Sequence, residues 1–170
     1  GKNCMTERES YLFWDTLHFF EGDAKRAQHF AKVYFFAERI AEGERVFKKV
    51  AETVRAAAIV HDVGIRPAEE KYGRCDGKLQ EQEGPAAAET LLAKAGYERE
   101  EIARICYLVG HHHTYSAIDG ADFQILVEAD LLVNFYEDGV SSAGIAAAVG
   151  KIFRTETGKK LAREMFCASV

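Results

Sequence analysis

Five side chains stand out for their chemistry: His29, the adjacent pair His61-Asp62, Asp130, and the central member of the run His111-His112-His113. Each falls where helical spacing calls for an apolar residue. His29 lies four residues before Val33 on a stripe that continues through Phe36 or Ala37 to Ile40. His61 extends a stripe through Phe47, Val50, Val54 and Ala57 or Ala58, and Asp62 follows about 100° round the same turn. His112 comes three residues after Val109. Asp130 sits in the middle of a run that is apolar nearly all round, from Phe123 to Phe135. An ionised carboxylate buried without a partner costs several kcal/mol, so such positions require a cation, a hydrogen-bond network or a water-filled cleft. Each residue alone has a plainer reading, such as a core histidine held by hydrogen bonds or a helix-terminal histidine favoured by the macrodipole. Their coincidence on separate helices points to a metal. Imidazoles with carboxylates form the mixed N/O set of a borderline divalent cation (manganese, iron, cobalt, nickel or zinc), not a calcium cage or a thiolate site.

The elements that must bring these residues together read as helices. Prolines occur only at 67 and 85, and strand-like alternation is hard to find in the 170 residues. The expected fold is therefore all-α, a compact bundle of about six or seven helices in a single domain over 1–170. Helices are expected over ~7–20, ~24–42 with Asp23 as N-cap, ~45–62, ~85–95 with Pro85 in its first turn and Gly96 at its end, ~98–113, and ~123–137 capped by Asp122. Two closing helices, 143–149 and 156–166, carry no evident chemistry. Between the helices over ~45–62 and ~85–95, Ile65 to Gly84 reads as a long charged loop leaving the His61-Asp62 end, with Arg66, Lys71, Arg74 and Lys78, suited to covering a site. Glu83 stands at the expected entry of the following helix, and Asn134, one turn beyond Asp130, faces the same cavity.

A formal net charge of −5 argues against a non-specific binder of nucleic-acid duplexes but leaves room for a small anion in a metal-bearing cleft. Cys4, Cys75, Cys106 and Cys167 are scattered without CxxC spacing and read as reduced thiols. No apolar run approaches the ~20 residues of a membrane span, and no secretory pattern opens the chain, so the expected compartment is the cytoplasm. The oligomeric state is not legible.

The order His29, His61-Asp62, Asp130 resembles the HD superfamily of metal-dependent phosphohydrolases, over about residues 23–140. The likeness extends to Arg26-Ala27-Gln28-His29, to Ala58-Ile59-Val60-His61-Asp62-Val63-Gly64 and to Val127-Glu128-Ala129-Asp130. It implies one metal on His29, His61, Asp62 and Asp130, with Asp62 orienting a metal-activated water. Arg26 and Lys78 are the implied partners of substrate phosphate, and the substrate is a small phosphate ester, a nucleotide or related phosphomonoester or anhydride. Dinuclear branches add histidines, which His111 and His112 resemble, while Glu83 occupies the place of an earlier one; a second ion would then sit on Glu83, His111, His112 and a bridging Asp62. Ile65 replaces a lysine found in some relatives and no Gly-Tyr-Pro motif follows His112, so cyclic-dinucleotide hydrolysis is not expected. Two other readings stay open: a mixed-valent di-iron oxygenase, to which the extra histidines and Tyr115 would belong, and a catalytically silent ligand-sensing domain.

Overall fold

A computed structural model describes residues 5–170. Among them the chain forms nine α-helices: α1 (Glu7–Phe19), α2 (Ala24–Gly43), α3 (Lys48–Val60), α4 (Ile65–Tyr72), α5 (Gly77–Ala95), α6 (Arg99–His111), α7 (Ala121–Glu137), α8 (Ser142–Ile152) and α9 (Glu156–Phe166), with a 3-10 turn at Tyr115–Ala117. No strand occurs among the described residues, and no helix is long and apolar enough to cross a membrane. Cys75, Cys106 and Cys167 are free; Cys4 lies outside the described residues.

Local signals start and stop these helices. Thr6 and Glu9 form a reciprocal capping box on α1, Asp23 accepts from the Arg26 amide, and Ser141 and Thr155 cap α8 and α9 in the same way. Gly73 and Gly96, both at positive φ, end α4 and α5. The expected Asp122 cap is corrected: Gly120 holds the cap position, and the Asp122 carboxylate in the first turn instead takes Arg104, at 2.7 and 2.9 Å.

Two further expectations are corrected. The stretch Ile65–Gly84 is mostly helical, because Asp76 caps a new helix by accepting from the Leu79 amide and α5 then runs through Pro85. Pro85 is thus an interior residue, not a first-turn one. It lacks an N–H for the Glu81 carbonyl, and its ring lies against Gly110, where a Cβ would stand 3.1 Å from Cγ. α5 is the expected ~85–95 helix extended toward its N-terminus, α4 is the helix not expected, and the nine helices exceed the six or seven expected. Phe47 also does not join the inward stripe; it precedes α3 and is 84% exposed.

The centre of the molecule is α7. Phe123, Ile125, Leu126, Val127, Ala129 and Leu132 are all essentially inaccessible, and α2, α3 and α9 pack around this helix. α2 also lies along α3, and α5 along α6. His29, His61 and Asp130 are thereby brought to one end of a three-helix contact.

The turn after α3 is pressed against α5. A Cβ on Gly64 would stand 2.3 Å from the Gln80 carbonyl oxygen and 2.7 Å from the Gly84 nitrogen, both backbone atoms, while one on Gly84 would meet Val109 Cγ1 at 2.6 Å. Only glycine allows this approach, which sets the depth at which Asp62 sits. Gly64→Ala is expected to destabilise the fold by about 1–3 kcal/mol, the usual cost of overpacking. Urea unfolding of the metal-free protein checks this, and an unchanged midpoint would show that the turn has slack.

Candidate metal centre

Three imidazoles share one design. His61 Nδ1 lies 2.7 Å from the Ala58 carbonyl, His112 Nδ1 2.8 Å from the Val109 carbonyl, and His29 Nδ1 2.6 Å from Glu137 Oε1. Carbonyl and carboxylate oxygens only accept, so each Nδ1 carries the proton and donates outward. Every Nε2 then turns its lone pair inward. His61 and His112 owe this to where α3 and α6 stop: each ring folds back on the carbonyl three residues earlier, just beyond the last helical residue.

The inward nitrogens meet two carboxylates. His29 Nε2 is 3.0 Å from Asp130 Oδ1, 3.2 Å from Asp62 Oδ2 and 3.2 Å from His61 Nε2. His61 Nε2 is 3.3 Å from Asp130 Oδ1 and 3.4 Å from Asp62 Oδ2. Asp62 turns its other oxygen, Oδ1, toward His112 Nε2 at 3.6 Å. Two groups of three result, His29-His61-Asp130 and Asp62-His112-His113, each with ligand atoms within 4.8 Å of one another. Asp62 touches both.

The electrostatics without a cation are unbalanced. Burial pulls the His29 imidazolium down, yet hydrogen bonds with Asp130 and Asp62 outweigh it and hold the ring up to about 10. His61 is likewise raised, by the Asp62 charge and the Asp130 hydrogen bond against burial. Burial pushes Asp62 and Asp130 up, but the neighbouring imidazoles hold both well below the carboxylate range. Protons thus fill the place of a positive charge. The buried His112 Nε2 has no hydrogen-bond partner at all. An orphaned lone pair, a short contact between two Nε2 atoms, and two ionised carboxylates are what a divalent cation would resolve, so the residues fit a metal.

The sequence-expected residues divide. His29, His61, Asp62, Asp130 and His112 converge. Glu83 does not: with α5 starting at Gly77 it lies mid-helix facing α4, with Lys71 Nζ at 2.6 Å and the Tyr72 hydroxyl at 3.3 Å. His111 also stays away, its ring stacked on Tyr107 at 4.1 Å with Nδ1 2.8 Å from the Tyr107 carbonyl. Its place near Asp62 and His112 is taken by His113, because α6 ends at His111 and the turn that follows swings the next two rings inward. Burial and the neighbouring His112 lower His113 to about 4, and the ring pairs with Gln80 Oε1 at 3.1 Å. Glu81, not Glu83, meets this segment, accepting from the His113 amide and the Thr114 hydroxyl. Arg26 and Asn134 line the pocket in front of the centre, whereas Lys78 and Tyr115 lie outside its lining and are exposed.

Glu137 was not anticipated, although it stands seven residues after Asp130 on the same helix face. It bridges His29 to Lys32, whose Nζ is 2.7 Å from Oε2. A carboxylate behind a ligating histidine fixes its tautomer and raises its basicity. Glu137→Gln is expected to weaken divalent-metal affinity about 10–100-fold in calorimetric titration with little loss of helicity. Metal and proton compete for the same Nε2, so below the raised His29 value of about 10 each binding event expels a proton, and affinity falls as pH falls. Titrations in buffers of different ionisation enthalpy report that release; none detected would exclude the imidazoles as ligands.

Residues 26–134, more than half of the chain, match the family model of the HD domain. Among solved structures, the chain is similar to a predicted HD superfamily hydrolase from an uncultured Thermotogales bacterium, with a TM-score of 0.63 and 24% identity over 95% of this chain and 84% of that one. A search of curated proteins found no match. With His29, His61-Asp62 and Asp130 all inside the matched span and gathered at one centre, the chain belongs to the HD domain family.

Proposed function

We propose that the protein is a metal-dependent phosphohydrolase that cleaves a small phosphate ester. The observation that carries this reading is the convergence of His29, His61, His112, Asp62 and Asp130, with Nδ1 of each ring held by an outward acceptor, and with His29, Asp62 and Asp130 lining a pocket whose wall includes Lys25 and Arg26. A divalent cation held by His29, His61, Asp62 and Asp130 would acidify water and polarise a phosphoryl oxygen.

The chain's own groups do the rest. Asp62, with one oxygen toward each cluster, orients the attacking water from the side of His112. Lys25 and Arg26 neutralise charge on the phosphate from the rim. Gln80 holds His113 in place on the opposite wall, and the Nδ1 anchors keep all three rings from turning during turnover. A second ion on Asp62, His112 and His113 is the form of two-metal assistance that this geometry favours.

Asp62→Ala tests the reading. Metal binding should be lost and phosphate release should fall by about a hundredfold or more, with the circular dichroism spectrum preserved. Full activity in that variant would remove the metal mechanism. Because the second cluster also suits iron, oxygen uptake by iron-loaded protein that releases no phosphate would move the site to oxygenase chemistry.

A further inference from the structure

Resting on the phosphohydrolase reading, we infer that the substrate is a small polyhydroxylated phosphomonoester, a sugar or polyol phosphate, with no nucleobase. The pocket in front of His29, Asp62 and Asp130 holds about 230 Å³, below the roughly 300–1,000 Å³ of sites that enclose larger ligands. Ile65 is its one apolar wall. No Phe, Tyr or Trp lines it, and of the imidazoles that do, His29 is buried and the His113 ring packs against that of His112 at 4.0 Å. Bases bind by stacking on aromatic faces or against apolar walls, and neither is offered.

What the pocket does offer is a set of polar groups that the fold leaves unused. The Lys25 ammonium, the Asn134 amide and the Asp138 carboxylate all line it, and none has a side-chain hydrogen bond or ion pair among the described residues. Arg26 adds a second cation: its guanidinium is ion-paired with Asp23 at 3.8 Å and Glu69 at 3.4 Å, but Nε itself is buried without a hydrogen-bond partner. Two cations answer one phosphate. An amide that both donates and accepts, beside a carboxylate that accepts, answers hydroxyl groups. The free Asp138 carboxylate next to Glu137 also repels a second phosphate, which disfavours diphosphates and longer anhydrides. In the reaction, the oxygen of water bonds to phosphorus, the ester P–O bond breaks, and the departing alkoxide takes up a proton from that water to leave as the free polyol.

Ribose 5-phosphate and adenosine 5′-monophosphate make the clean comparison, since the second is the first with a base attached. Calorimetric titration of manganese-loaded protein should show ribose 5-phosphate binding about tenfold or more tighter than the nucleotide and than methyl phosphate. Asn134→Ala and Asp138→Ala should each remove most of the advantage over methyl phosphate. Equal or tighter binding of the nucleotide, absence of ribose 5-phosphate binding, or an advantage that survives both substitutions would overturn the inference. Phosphate release is read separately: the binding preference without release from any ester would support the pocket's selectivity while sinking the hydrolase reading, and release from the nucleotide in preference to ribose 5-phosphate would do the reverse.

Discussion

Everything at the working end of this molecule depends on an unresolved charge: imidazole lone pairs and carboxylates, taken out of water, aimed at one another. His29 and His61 present Nε2 atoms 3.2 Å apart, a contact that is repulsive unless a proton or a cation lies between. Removing either ring's outward acceptor would let it flip and relieve the conflict. The fold forbids this by spending a backbone carbonyl on His61, another on His112 and a lysine-paired carboxylate on His29. Orientation is imposed from behind, and affinity for a positive charge follows in front.

Buried acids elsewhere in the chain show how different this is. Glu128, fully buried two residues before Asp130, accepts from Gln124, from the Arg154 and Thr155 amides and from the Thr155 hydroxyl, and so ties the α8–α9 connection to α7. Glu9 accepts from Tyr34 and pairs with Arg55, fastening α1 to α2 and α3. Both carboxylates are satisfied by neutral donors or a permanent cation and hold the scaffold. Asp62 and Asp130 have only imidazoles for partners, groups whose charge is conditional. The contrast separates structural acids from those prepared for a ligand.

Positioning relies on close backbone approach as much as on side chains. Gly64 and Gly84 let the turn after α3 sink against α5, and α7 fills the remaining side with apolar residues on nearly every face. The centre therefore lies among packed helices, and Lys25, Arg26, Asn134 and Asp138 line the pocket in front of it. Burial of the floor behind a polar mouth strengthens every electrostatic contact there.

The sequence by itself determined the helical class, most helix boundaries and the inward placement of His29, His61, Asp62, Asp130 and His112. Helical periodicity is a local property, and a polar residue on an apolar stripe is conspicuous because burying it is costly. Only the tertiary structure decided which neighbours joined them. His113 rather than His111 reaches Asp62 because α6 stops at His111, and Glu83 faces α4 because α5 begins at Gly77 and runs straight through Pro85. Periodicity gives a direction about a helix's own axis. It cannot say where that axis breaks or how two axes meet, and those two facts select the ligands.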